Sequence, residues 1–123
     1  MKISIITVTF NSVSVINDCL KSVKLQKYEN IEHIIIDGAS TDGTLSLLES
    51  KREQFGALIS KPDKGIYDAM NKGIKIATGD IIGLLNSDDF YANNEIISKV
   101  ALEFEKDPYL DACYADLIYV DKL

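Results

Sequence analysis

The stretch Ile31-Glu32-His33-Ile34-Ile35-Ile36-Asp37-Gly38-Ala39-Ser40-Thr41-Asp42-Gly43-Thr44 passes from a β-branched apolar run into a small, polar, glycine-containing loop. A short apolar run bounded by turn residues reads as a strand feeding a loop. The same change occurs where Ile3–Val8 gives way to Thr9-Phe10-Asn11-Ser12, since Asn and Ser favour turns and helix starts. Between the two runs, Ile16, Cys19, Leu20 and Val23 recur at three- and four-residue steps, one face of a helix running from Val13 to near Gln26.

Beyond residue 44 the alternation continues. Thr44–Phe55 carries Leu45, Leu47 and Leu48 in a second helical segment, Gly56 breaks it, and Ala57–Ser60 forms a brief strand before the loop Pro62-Asp63-Lys64-Gly65. Ile66–Ala77 is a third helix, with Ile66, Met70, Ile74 and Ala77 expected on its buried face, and Thr78-Gly79-Asp80 turns into the strand Ile81–Leu85. Gly73 weakens that helix by roughly 1 kcal/mol relative to Ala, so it is expected to serve packing or a close approach. After Asn86-Ser87-Asp88-Asp89 come a helix over about Asn94–Lys106, with Ile97, Val100, Ala101 and Phe104 inward, and a last strand near Ala112–Val120.

The order β-α-β-α-β-α-β-α-β implies an α/β fold with a mainly parallel sheet and helices on both faces, because parallel neighbours need right-handed helical crossovers. The 123 residues suit one domain. Hydrophobic residues at 46% and charged residues at 26% argue against disorder or a fibrous repeat. Thirteen Lys and Arg against nineteen Asp and Glu give a net charge of −6, which opposes attraction to phosphate backbones, so no nucleic-acid partner is expected. Both cysteines, Cys19 and Cys113, read as core thiols. No apolar run approaches the ~20 residues that span a bilayer, and no small-residue cleavage site follows Met1-Lys2 and the run after it. The expected location is cytoplasmic, including peripheral attachment at the inner membrane.

In doubly wound sheets, ligands bind outside the carboxyl ends of the strands. Those ends deliver Thr9 and Asn11, then Asp37, then Lys61 and Asp63, then Asn86, Asp88 and Asp89. Four carboxylates converging on one edge repel and lose hydration unless a cation compensates. Mg²⁺ or Mn²⁺ would resolve the conflict by bridging one or two carboxylates to substrate phosphates, which points to a diphosphate ligand.

These residues resemble glycosyltransferase family 2, with its Rossmann-like GT-A nucleotide-diphospho-sugar transferase fold. Ile5-Ile6-Thr7-Val8-Thr9-Phe10-Asn11 is similar to the family's opening strand, and Ile36–Thr44 to its second-strand motif. Asp63-Lys64-Gly65-Ile66-Tyr67-Asp68-Ala69-Met70-Asn71-Lys72-Gly73, continuing through Thr78-Gly79-Asp80 to Asn86-Ser87-Asp88-Asp89, is similar to a subgroup that makes bacterial surface polysaccharides. The resemblance implies nucleotide-sugar binding by Thr9, Phe10, Asn11, Asp37, Lys61, Asp63, Asn71 and Asp88, and metal binding by Asp88 and Asp89. Gly38 stands where many members have a second Asp, and Asn86 where many have the first Asp of an acid-x-acid motif. Asn keeps an acceptor oxygen but no charge, so the metal site is expected to rest on Asp88 and Asp89 alone.

The implied reaction transfers a sugar from a nucleoside diphosphate sugar, expected to be uridine-linked, to the hydroxyl of an acceptor sugar or lipid-linked saccharide, with inversion. Its base is expected beyond Leu123, making residues 1–123 a single N-terminal nucleotide-sugar-binding domain without the acceptor-binding part. Apolar surface left uncovered would favour a homo-oligomer.

Simpler readings stand beside these. Asp88-Asp89 and Asp37-Gly38 also suit turns, Asp42-Gly43 reads as a turn before a helix, and His33 as a partly exposed strand residue. Tyr67 and Tyr91 suit base stacking or packing. Lys61, Lys64 and Lys72 are phosphate-contact candidates or merely solvated. A receiver domain needs acids after strand one, where Thr9-Phe10-Asn11 stands, and a nucleotidyltransferase needs a glycine-rich basic loop there. A truncated, catalytically weak nucleotide-binding module is the main alternative.

Overall fold

A computed structural model describes residues 1–120. The elements are β1 (Ile3–Thr9), α1 (Ile16–Lys24), β2 (Ile31–Asp37), α2 (Thr44–Ser50), a 3-10 turn (Arg52–Gln54), β3 (Ala57–Ser60), α3 (Ile66–Ile76), β4 (Ile81–Leu84) and α4 (Ile96–Lys106). The four strands lie in the order β3-β2-β1-β4, and every pairing is parallel. β1 pairs with β2 from Ile3 opposite Ile31 to Thr9 opposite Asp37.

The strand order explains the layers. The chain moves outward from β1 to β2 to β3, then returns to place β4 on the other side of β1. Right-handed crossovers therefore put α1 and α2 on one face and α3 on the opposite face. Packing agrees: Cys19 and Val23 of α1 and Ile97 and Ala101 of α4 meet Ile3 and Ile5, while Leu48 of α2 joins Ile16, Leu20 and Ile35. On the reverse face, Ala69 of α3 meets Ile6, Val8, Ile34 and Ile36. All seven residues of β1 are buried, as a strand covered on both sides requires. Each buried isoleucine stabilises the fold by about 2 kcal/mol.

α3 seats differently from the expected face. It buries Ala69 and Gly73, whereas Ile66 and Ile74 are 45% and 42% exposed. A Cβ on Gly73 would stand 2.5 Å from Ile6 Cγ2, so contact with the sheet selects the small residues and turns the larger ones away. The expected packing role of Gly73 is thus met by close approach.

Three further expectations are corrected. Ala112–Val120 forms no strand and is exposed, with Cys113 exposed along with it; β-branched composition makes a strand only where a neighbour completes the ladder. Of the four α4 residues expected inward, only Ile97 and Ala101 are buried. His33 is buried, with its Nε2 2.8 Å from Thr7 Oγ1 and its ring edge-on to Phe55 at 5.7 Å. The Thr7 hydroxyl also lies 3.8 Å from Cys19 Sγ, so a small polar group is enclosed between β1, β2 and α1.

At the amino ends of the strands, Glu32 Oε1 accepts hydrogen bonds from Ser4 Oγ at 2.6 Å and from the Thr78 amide at 2.6 Å, while Oε2 lies 3.4 Å from Lys2 Nζ. Gly79 donates its amide to the same Ser4 hydroxyl. These bonds hold the turn from α3 into β4. Burial works to raise the Glu32 pKa, but the donors from Ser4 and Thr78 and the charge on Lys2 outweigh it and pull the value to about 2.

Burial lowers the His33 pKa from 6.5 to about 4. The unfolded chain therefore takes up this proton first as pH falls, so the His33 contribution is complete above pH 6.5 and lost as pH drops towards 4. Urea unfolding followed against pH should show a loss of roughly 3 kcal/mol across that window. A His33→Gln variant should flatten the slope there while keeping the lower-pH loss from Glu32; an unchanged slope would contradict the assignment.

Candidate functional site

The switch in strand order falls between β1 and β4, where a crevice opens beyond the carboxyl ends. A cavity of about 640 Å³ occupies it. β1 supplies Val8 and Thr9, the following loop Phe10 and Ser12, and the tip of β2 Gly38. The loop after β3 adds Pro62 and Asp63, α3 adds Ile66 and Ala69, and the loop after β4 adds Asn86, Ser87 and Asp88. An apolar wall with a few convergent polar groups suits a small organic ligand.

The loops are fastened to one another. Asn11 adopts φ +46, donates its amide to Ser40 Oγ and accepts from the Thr41 amide through Oδ1, each at 2.8 Å. Ser12 donates its amide to Thr44 Oγ1, and its hydroxyl accepts a 3.0 Å bond from Ser87 Oγ, joining the β1 and β4 loops. Asp42 is more than a turn residue: it accepts from the Thr44 amide and hydroxyl and from the Val13 amide, and the Thr44 hydroxyl leads the lowering of its pKa.

Asp37 is 0% exposed and turned inward. Its carboxylate accepts from Ser40 N at 3.0 Å, Ser40 Oγ at 2.5 Å and Ser60 Oγ at 2.7 Å. Backbone bonds from Gly38 N to Thr9 O and from Lys61 N to Asp37 O continue the closure. Asp37 thus ties the tips of β2 and β3 together and does not line the cavity.

Of the residues singled out from sequence, the fold brings Thr9, Phe10, Asp63 and Asp88 to the cavity wall. Asn11, Asp37, Lys61, Asn71 and Asp89 are not part of that wall. Thr9 Oγ1 is buried with no hydrogen-bond partner among the described residues, whereas Phe10 is 62% exposed. Tyr91 packs against the α1–α4 core, and burial, with Cys19 adding, raises its hydroxyl pKa. Lys72 is held by the Pro62 carbonyl and by Asp68 at 3.6 Å. Ser12 and Ser87 were missed as site residues; serine is common in loops, and only the fold brings these two, 75 positions apart, into contact.

Burial and the neighbouring Asp88 charge raise the Asp89 pKa, a repulsion that a cation would relieve. Among the described residues no group of three or more His, Cys, Asp or Glu converges on one point. Asp88 and Asp89 are then the two carboxylates that would hold Mg²⁺ or Mn²⁺, ions that keep several ligand positions for water and substrate phosphate.

If Asp37 is structural, Asp37→Ala should lower unfolding stability by about 3 kcal/mol, because two half-buried serine hydroxyls and the Ser40 amide lose their charged acceptor. Urea denaturation checks this. An unchanged midpoint would mean that the tips of β2 and β3 close without it.

The family model for Glycosyl transferase family 2 matches residues 4–121. An uncharacterised glycosyltransferase of Mycobacterium tuberculosis is 39% identical over 98 residues, covering 79% of this chain and 37% of its own length. The PGL/p-HBAD biosynthesis glycosyltransferase of the same organism is 33% identical over 118 residues, covering 94% and 46%. The chain thus spans less than half the length of these curated relatives. The solved structure of S. aureus TarS 1–349 in complex with UDP-GlcNAc superposes with a TM-score of 0.79 at 28% identity, over 86% of this chain and 32% of that one. The parallel sheet is that of the GT-A glycosyltransferases, and the chain belongs to glycosyltransferase family 2.

Proposed function

We propose that this chain is the donor-binding part of an inverting glycosyltransferase that moves a sugar from a uridine diphosphate sugar to an acceptor hydroxyl in bacterial surface-polysaccharide synthesis. The observation that carries the reading is the cavity at the strand switch, where Thr9, Asp63 and Asp88 share a wall with apolar residues. TarS, which shares this fold, has been solved with UDP and with UDP-GlcNAc.

Each group has a proposed task. Thr9 backs the base or ribose, Phe10 covers the base, and Asn86 and Ser87 present an amide and a hydroxyl to the diphosphate. Asp88 and Asp89 would hold Mn²⁺ or Mg²⁺, which when bound supplies positive charge to the leaving diphosphate. Orienting the donor against fixed dipoles lowers the barrier without the protein reorganising during transfer. The base that deprotonates the acceptor is proposed to lie beyond Leu123, so the acceptor, a sugar or lipid-linked saccharide, is bound elsewhere in a longer protein. No described helix is long and apolar enough to cross a membrane.

A second reading is nucleotide binding without appreciable turnover. Calorimetric titration with UDP, with and without Mn²⁺, tests the donor reading, and donor hydrolysis by the same sample separates the two. Binding should strengthen with Mn²⁺, and Asp88→Asn should weaken it about tenfold, in line with loss of a charged contact. Unchanged affinity in both comparisons would remove the metal assignment; absence of UDP binding would remove the donor reading.

A further inference from the structure

β4 is the outer strand on the side of the sheet away from β3, and among the described residues it pairs with β1 alone. The amides of Ile81 and Leu85 go to the Lys2 and Ile6 carbonyls of β1, so the alternate residues, Ile82 and Leu84, turn their backbone groups to the open edge. Sheets ordinarily guard such an edge with a charge, a proline or a bulge. Ile81-Ile82-Gly83-Leu84 has neither charge nor proline. Its side chains are open too: Ile82 and Leu84 are 42% and 51% exposed, while α3 packs on β1 and β2.

The same chain carries a second unpaired element. Residues 112–120 read Ala-Cys-Tyr-Ala-Asp-Leu-Ile-Tyr-Val, with one charge in nine positions, and Tyr114, Leu117, Ile118, Tyr119 and Val120 are 65% to 97% exposed. Apolar residues fall on both sides of the alternation, as suits a strand covered on both faces. Within one chain the segment makes no ladder with β4: Leu110 N bonds back to Asp107 O after α4, and residues 112–120 run free of the sheet. An edge without a strand and a strand without an edge are complementary, and main-chain pairing at an edge is a recurring mode of association.

We infer that residues 112–120 of one copy add as a strand to the β4 edge of a second copy, and that the exchange is reciprocal, closing a symmetric dimer. The area suffices. Tyr114 and Tyr119 carry roughly 300–500 Å² between them when buried, reciprocal exchange doubles this, and Leu117, Ile118 and Val120 take the total past the ~1,200 Å² of a stable interface. The inference is independent of the donor reading, because neither β4 nor residues 112–120 line the cavity.

Sedimentation over a concentration series tests the assembly. The wild-type chain should pass from monomer to dimer and no further. Leu84→Lys on the edge and Ile118→Asp on the tail should each weaken the dimer at least about tenfold, since each leaves a charge in the interface. Placement is read on mixed copies. Cys113 is exposed and Cys19 buried, so a spin label on Cys113 of an unlabelled copy can be mixed with a nitrogen-15 copy carrying Cys113→Ser. Amide signals of Ile81–Leu84 in the second copy should broaden. Circular dichroism checks the folding of the substituted chains, and the mixed-copy spectrum decides even where Leu84→Lys or Ile118→Asp fails to fold. A monomer at every concentration, growth beyond the dimer, unchanged association of either folded variant, or broadening that falls elsewhere than β4 would overturn the inference.

Discussion

The parallel ladder between β1 and β2 ends where Thr9 pairs with Asp37, and the geometry of the site depends on how that end is closed. A loop leaving a buried strand must find partners for its polar groups or lose stability. Asp37 resolves this with an inward carboxylate that gathers the loop after β2 and the end of β3. With those tips tied, Gly38, Phe10 and Asp63 come together on one wall of the cavity.

That closure separates two jobs that the sequence leaves merged. Four acids at strand ends looked like one cluster. In the fold Asp37 is internal, Asp63 crosses to the space over Gly38, and Asp88 and Asp89 stay together after β4. Asp37 holds the loops, the other three carboxylates are the ones proposed to meet a ligand, and the mutual repulsion of Asp88 and Asp89 is what a bound cation would offset.

Much of the fold was legible because strands buried on both faces are written as runs rich in β-branched residues, as in Ile3–Val8 and Ile34–Ile36. Helix faces were less so. Periodicity ranks residues by hydrophobicity, but α3 presses Ala69 and Gly73 on the sheet because close approach favours small side chains. His33 misled for a related reason: whether a polar strand residue is buried depends on a partner, here Thr7, contributed by another strand. Ala112–Val120 showed the reverse, with strand-like composition but no ladder. At the site, the fold gathers Thr9, Phe10, Asp63 and Asp88 on one cavity wall and leaves Asn11, Asp37, Lys61, Asn71 and Asp89 outside it. The inward turn of Asp37 and the Ser12–Ser87 bond depend on contacts across the chain that no local pattern carries.

The central claim is that a uridine diphosphate donor lies in the cavity between the β1 and β4 tips. Backbone amide chemical shifts of the labelled chain, followed by NMR while UDP is added, test it most directly. The account predicts that the largest changes fall on Thr9, Phe10, Gly38, Asp63 and Ser87, with little change along the outer face of α1. Shifts concentrated away from these residues, or spread without a focus, would contradict it.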